Sequence, residues 1–550
     1  APGRGGDGDM TRMTGGEALV QALAAQGVDT LFVLPGVQND PFFSALYDMA
    51  ERLRVIVTRH EQGAAYMAHG YAAATGRPGV YCVVPGPGFL NTTAALSTSY
   101  GASAPVLCLS GQIPARWIGR GAGLLHEIPD QLGIMQRLTK WAARIEAPED
   151  AGDLVAEAFE KMLRGRPRPV ALEMPMDVMA REAWITRDPP VARPVVHPEP
   201  DPDGLERAAE VLNGAERPMI FAGGGAHEAS AEVRELAERL GAPVVAGWMG
   251  LGVMDGRSEL SLNITAAHRL WPEVDVALAV GSRFQRVQMD WGVDADLKVI
   301  RVDLDPTEIS RHARPEVALL ADAGQALRAL LPAIRSDRRP AWREWVASVK
   351  AEVSALLRRE LAPQCELIDA IRAAIPEDGI LVEDLTQIGY VSRLAFPVYG
   401  PRQYLSSSYQ GTLGFSYAAA LGVKTALPKR PVVAIAGDGG FMYNVQELAT
   451  AAQYGINVVA VVFNDRAYGN VKRIQRELYG NRVIASDLTN PDFVRLGASF
   501  SMFSQKATSP DELRAALERA LAREEPALIE VPLGELPGPW PYIIMPRVRG

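Results

Sequence analysis

Two acids in the C-terminal third of the chain are spaced for metal chemistry. Asp438 lies in Ala436-Gly437-Asp438-Gly439-Gly440-Phe441, after the apolar run Pro431 to Ile435, and Asp465 lies in Asn464-Asp465-Arg466-Ala467-Tyr468-Gly469, after the apolar run Val458 to Phe463. Runs of that length closed by glycine or polar turns read as buried strands, and the stretch between them, with Asn444-Val445-Gln446-Glu447-Leu448, reads as a helix. In an open parallel sheet the carboxyl ends of two such strands lie side by side, so Asp438 and Asp465 are expected to meet at one edge. A carboxylate pair there suits magnesium, which takes about six oxygen ligands and shares them with phosphate. Gly437, Gly439 and Gly440 let backbone N–H groups approach a diphosphate, with the following helix adding its dipole.

The elements that must position these acids recur along the whole chain. From Gly15 the pattern predicts a helix around Glu17 to Ala25 and a strand at Thr30 to Val33 that closes in Leu34-Pro35-Gly36-Val37-Gln38. A strand from Arg54 to Thr58 runs into Arg59-His60-Glu61-Gln62, and a small-residue helix follows through Ala74. Next come a strand Val80 to Val84, the turn Pro85-Gly86-Pro87-Gly88, a helix, and a strand from Pro105 to Ser110 with Gln112 just beyond. Alternation of this kind implies an α/β fold of three doubly wound domains with mainly parallel sheets.

The stretch Arg77 through Gln112 matches Arg430 through Asp465 element for element, which reads as two domains of common topology, only the second with an acid in its glycine turn. The expected organisation is a disordered or added tail over 1–9 with a natural start at Met10, a first domain over 10–185 and a proline-rich linker over 186–201. A middle domain over 202–340, a connecting helix over 341–365, a last domain over 366–535 and a tail or lid over 536–550 complete it.

At 550 residues, 48% hydrophobic and 22% charged, the chain can bury several cores. A net charge of −9 gives no general attraction to nucleic acid or to an anionic membrane, and no apolar run approaches the length of a membrane span. Cys82, Cys108 and Cys365 lack metal-ligand spacing and read as buried reduced thiols, so a cytoplasmic protein is expected. His60-Glu61 does not open a zinc helix, because position 64 is Ala64. His69, inside the small-residue helix, is expected to be a satisfied structural histidine.

Three separated segments carry a family resemblance: Arg59-His60-Glu61-Gln62-Gly63-Ala64-Ala65, Gly411-Thr412-Leu413-Gly414-Phe415, and the 27-residue step from Asp438 to Asp465. In that order they resemble the acetolactate synthase-like branch of thiamine diphosphate enzymes, over about Thr14 to Glu535. The resemblance implies thiamine diphosphate and Mg2+ as cofactors, with pyrimidine-binding, middle and diphosphate-binding domains. It makes Asp438, Asp465 and the carbonyl of Ala467 the metal ligands, and Glu61 the carboxyl that shares a proton with N1′ of the pyrimidine. It further implies that Gly411 accepts from the 4′-amino group, that Leu413 supports the bent cofactor, and that Pro35, Gly86, Thr386, Gln387, Tyr468 and Gly469 belong to the cofactor's surroundings. Gln38, Gln112 and His126 are the candidates to face substrate. Active sites shared between the subunits of a homodimer or homotetramer are also implied.

The chain departs from the family pattern in three places. Ile474 stands where acetolactate synthases have tryptophan, Thr386-Gln387-Ile388-Gly389 replaces a GQHQ segment, and Ser261-Leu262-Asn263-Ile264-Thr265 replaces the GMHG segment of the flavin-carrying members, leaving FAD open. The expected reaction is decarboxylation of a pyruvate-like 2-oxo acid followed by addition of the enamine to a second carbonyl compound. The alternative, suggested by a resemblance of the Gly88-Phe89 turn and of Leu125 through Ala142 to benzaldehyde lyase, is aldehyde carboligation and 2-hydroxy-ketone cleavage without decarboxylation.

Overall fold

The computed structural model describes residues 10–311, 314–337 and 339–550; the tail expected over 1–9 lies outside them. The chain forms two compact units, the first made of the residues up to Val196 with Ser407–Lys429 and Met442–Val458, the second of His197–Ser406, Arg430–Phe441 and Val459–Gly550.

The first unit holds a six-stranded parallel sheet whose spatial order is Arg54–Val57, Thr30–Val33, Gly79–Val83, Val106–Gln112, Val170–Pro175, Ala142–Arg144. Its central strands are buried end to end, as expected of strands covered by helices on both faces. The order reverses between Thr30–Val33 and Gly79–Val83, so the turns after these two strands lie where ligands of such sheets bind. They touch: a Cβ on Gly36 would sit 2.5 Å from Val84 Cγ1.

The second unit carries two six-stranded sheets. In the C-terminal one the order is Tyr404–Leu405, Ile380–Glu383, Val432–Gly437, Val458–Asn464, Ala527–Pro532, Phe503–Lys506. Numbered within each sheet, this and the first unit's sheet share the order 2-1-3-4-6-5, which agrees with the internal similarity of the sequence. The middle sheet has the 3-2-1-4-5-6 order of dinucleotide-binding sheets, with Pro218–Ala222 beside Val276–Val280 at the reversal. One hydrophobic core runs from Trp271 and Trp291 in short helical turns of the middle domain, past Trp342, Val346 and Val353 of the helix Pro340–Glu360, to Val433 and Val461 of the C-terminal sheet. The last segment is docked on the middle domain: Thr265 Oγ1 donates to Tyr542 O (2.9 Å) and Arg549 pairs with Asp294 (2.6 Å).

In the first unit the helices Glu61–Thr75 and Phe415–Ala426 cross backbone to backbone. A Cβ on Gly70 would lie 1.9 Å from Ala419 O, and one on Gly422 would lie 1.9 Å from Met67 O. Because 67 faces 422 and 70 faces 419, the helices pass in opposite senses, and their N-terminal ends lead away from each other. His69 is fully buried in this contact, with Nδ1 on Ser99 Oγ (3.0 Å). Its Nε2 has no partner, so the histidine is only half satisfied.

Gly70→Ala should lower the melting temperature by an amount matching about 1–3 kcal/mol of overpacking. Gly214→Ala, where a Cβ meets nothing within 4 Å, should leave it unchanged or slightly raised. Equal melting curves for the two variants in differential scanning calorimetry would refute the crossing.

Candidate active site

The second unit brings Asp438 and Asp465 together. Each is the first residue beyond its strand, and the two strands, Val432–Gly437 and Val458–Asn464, are neighbours in the sheet. Asp438 is buried, and burial together with the like charge of Asp465 pushes its carboxyl up to about 6. Neutral donors gather on the pair. Asn490 Nδ2 donates to Asp438 Oδ2 and also to Asn464 Oδ1 (2.9 Å), Gln387 Nε2 donates to Asp465 Oδ2 (3.2 Å), and Ala467 N donates to Asp465 Oδ1 (3.2 Å).

The glycines and polar residues expected around a diphosphate lie close to one another beside these acids. A Cβ on Gly437 would meet Thr386 Cβ at 3.5 Å, one on Gly439 would strike the Tyr468 ring at 2.6 Å, and one on Gly469 would lie 2.7 Å from Asp465 Oδ2. Gly440 belongs to the short helix Asp438–Phe441 that starts at the first acid. Asn490 was missed from the sequence; it belongs to no recognisable pattern and reaches the acids only through the fold.

The first unit holds the other group of candidates. Glu61 opens its helix, and its carboxylate accepts from Asn91 Nδ2 (2.9 Å). A Cβ on Gly88 would come 3.5 Å from Glu61 Oε1, so Glu61 stands beside the Gly86-Pro87-Gly88 turn. Gly86 has a left-handed backbone (φ +57°), and a Cβ there would lie 2.3 Å from His126 O. Its N–H donates to Gln131 Oε1 (2.8 Å), whose Nε2 donates to the fully buried Glu173 (2.8 Å).

Gln38 and His126 meet at this turn, while Gln112 does not join them. Gln112 is buried behind it, donating to Glu173 Oε2 (3.1 Å) and accepting from Ile113 N (2.8 Å). Gly411 and Leu413 precede the helix Phe415–Ala426, and Thr412 between them shares a hydrogen bond with Thr98 (2.8 Å). Since the two helices cross in opposite senses, Glu61 and the Gly411–Leu413 segment lead toward opposite ends of that crossing.

In the middle domain the glycine turn is spent on packing. Gly223 N donates to Val280 O (3.0 Å), Gly225 N donates to Gly281 O (3.1 Å), and a Cβ on Gly223 would sit 2.2 Å from Gly281 O.

Family models cover each of the three domains. Residues 13–134 match the thiamine pyrophosphate enzyme N-terminal TPP binding domain, 205–330 the central domain, and 384–531 the C-terminal TPP binding domain. The chain is 36% identical over 547 residues to a probable acetolactate synthase large subunit of Methanocaldococcus jannaschii, covering 94% of this chain and 92% of that one. The chain belongs to the acetolactate synthase-like thiamine diphosphate enzymes. It is also 35% identical to a probable 2-ketoarginine decarboxylase of Pseudomonas aeruginosa and 32% identical to acetolactate synthase isozyme 1 large subunit of Escherichia coli, each over 94% of both chains. As a member of this family it is a thiamine diphosphate-dependent enzyme.

Gln38 and His126 define a tautomer in this family member. Gln38 Nε2 faces Leu125 O (3.0 Å), a carbonyl that can only accept, so Gln38 Oε1 is the atom turned to His126 Nδ1 (3.1 Å). That oxygen also only accepts, so Nδ1 carries the proton and, in the neutral ring, Nε2 carries the lone pair. Histidine-selective 15N NMR should give a protonated Nδ1 for His126 and lose that preference in Gln38→Leu; a protonated Nε2 with bare Nδ1 in the wild type would contradict the arrangement.

Proposed function

We propose that this enzyme decarboxylates a 2-oxo acid of the pyruvate class and transfers the remaining acyl-equivalent fragment to a second carbonyl compound, using thiamine diphosphate and magnesium. The observation that carries the reading is the Asp438–Asp465 pair at the ends of neighbouring strands. The residues fit the metal: a buried carboxylate beside a second one is a donor set that a dication satisfies. Among the described residues no cluster of three or more metal-ligating side chains occurs, so magnesium would rest on these two acids, the carbonyl of Ala467 and diphosphate oxygens. Gly437, Gly439, Gly440, Thr386, Gln387, Tyr468 and Gly469 would surround the diphosphate.

When bound, thiamine diphosphate supplies a carbanionic carbon that adds to the substrate carbonyl and takes up the electron pair left by carbon dioxide. Glu61, at the start of a helix and next to the Gly86–Gly88 turn, would share a proton with the pyrimidine. Pro35 and Gly86 would contribute backbone to the same wall, Gly411 would offer its carbonyl to the pyrimidine's amino group, and Leu413 would support the bound cofactor. Gln38 and His126 orient the substrate by hydrogen bonds, and Gln112 acts behind the turn through Glu173. What supports leaving flavin out of the reading is that the N–H groups of Gly223 and Gly225 are already used within the backbone.

The assembly proposed with this chemistry is a homodimer or homotetramer in which Glu61 of one chain and Asp438 of another serve one cofactor. Its support is that Glu61 and Gly411, both assigned to the pyrimidine, lead apart within one chain. The 35% identity to a protein named for 2-ketoarginine decarboxylation favours a second reading, in which the fragment is protonated and released as an aldehyde.

Incubation with thiamine diphosphate, magnesium and pyruvate should release carbon dioxide with acetolactate as product. Acetaldehyde instead would favour the decarboxylase reading, and no carbon dioxide from any 2-oxo acid would refute both. Asp438→Asn should raise the magnesium needed for half-maximal activity by about tenfold or more. Mixing Glu61→Gln protein with Asp438→Asn protein, at a magnesium concentration too low for the latter to turn over and under conditions of subunit exchange, should restore activity, because each hybrid dimer then holds one intact site. No recovery despite proven exchange would rule out sites shared between chains.

A further inference from the structure

The turn that delivers Glu61 is gripped by residues far along the chain. Glu447, 388 residues after Arg59, is fully buried, and its carboxylate accepts from Arg59 N (3.2 Å to each oxygen), His60 N (3.1 Å) and Thr450 Oγ1 (2.6 Å). Two further bonds hold the same stretch: Val57 N donates to Tyr454 Oη (3.0 Å), and Arg59 Nη2 donates to Gln453 Oε1 (2.8 Å). Gly63 has no side chain for the same reason, since a Cβ there would lie 2.3 Å from Glu447 Oε1.

A buried carboxylate is expensive unless its oxygens are fully engaged, and removing one engaged partner leaves the others unsatisfied. Here the engaged donors are the two peptide groups immediately before Glu61, at a helix N-terminus where backbone donors lack helical partners and a negative charge is favourable. Burial pushes the Glu447 carboxyl up, and the bonds from Thr450, Arg59 and His60 oppose that. Fixing the peptides of Arg59 and His60 fixes the direction in which the Glu61 side chain leaves the backbone.

We propose that Glu447 is the positioning residue for Glu61, aiming its carboxyl through the backbone of Arg59 and His60; this rests on the reading of Glu61 as the proton-sharing group. Glu447→Gln keeps the shape but sets an NH2 group against a backbone or hydroxyl donor. In the cofactor-free protein, hydrogen-exchange mass spectrometry should report faster exchange in peptides covering Val57–Gly63 and no change elsewhere in the first unit. In the loaded enzyme, exchange of the thiazolium C2 proton followed by NMR should slow by roughly 10- to 100-fold, as for a misaimed reacting group. In the Glu61→Gln background, Glu447→Gln should slow it no further, because both act through one carboxyl.

Unchanged protection over Val57–Gly63, or an equal further slowing in the double variant, would overturn the positioning role. If Glu61→Gln alone leaves C2 exchange unchanged, the reading of Glu61 falls and this proposal with it. Thr450→Val removes one donor only and serves if Glu447→Gln does not fold: a smaller loss of protection at the same peptides supports the role, and none overturns it.

Discussion

Two like charges held side by side, Asp438 and Asp465, are the constraint around which the second unit's site is arranged. At contact distance, with an effective dielectric of about 20, such repulsion is on the order of 4 kcal/mol. The fold answers with neutral donors: Asn490 on Asp438, with Gln387 and the Ala467 amide on Asp465. Neutral donors offset the repulsion without cancelling it, and burial first, with the charge of Asp465 added, keeps the Asp438 carboxyl raised. On the reading proposed above, a site in that condition prefers a ligand that arrives with its own dication. Tighter internal pairing, by an arginine for example, would stabilise the apo fold and weaken that preference.

The first unit uses the same strand order to a different end. Its glycine turn at Gly86–Gly88 follows the strand equivalent to Val432–Gly437, yet it carries Pro87 where the second copy carries an acid. The charge moves behind the turn, to Glu173, where Arg144 neutralises it at 2.6 Å and Gln131 relays it to Gly86 N. The turn itself is left neutral and narrow, with His126 O packed against Gly86. One topology thus provides a charged shelf in one sheet and a neutral wall in the other, and the difference lies in which residue follows the strand.

Local features of the site were legible in the sequence because they are written in adjacent residues. An acid directly after a strand is placed by it, so Asp438 and Asp465 could be found, along with the α/β alternation and the repeat, while Glu61, four residues past Val57, was found through the Arg59–Ala65 segment. Residues placed by tertiary contact carried no such signal. Asn490 has no spacing relation to Asp438, and Glu447 looks like an ordinary helix-start acid until the fold sets it over Arg59 and His60. Gln112 illustrates the converse: it is the last residue of a strand at the right edge, but Glu173 on the adjoining strand captures its amide. The middle glycines mislead in the same way, since a turn that suits phosphate equally suits the close approach of two backbones.

The contrast between Glu61 and the structural acids follows from what each must do. Glu173 is paired with Arg144 and the fully buried Glu383 with Arg393, and burial still pushes the Glu383 carboxyl up to about 7. A carboxyl proposed to share a proton is better served without such a partner, because a cation at contact favours the ionised form. The structure gives the Glu61 side chain a neutral donor, Asn91, and applies its strong interactions to the peptides just before it. Rigidity is thereby supplied through the backbone, and the buried carboxyl that grips it, Glu447, lies one step away from the Glu61 side chain.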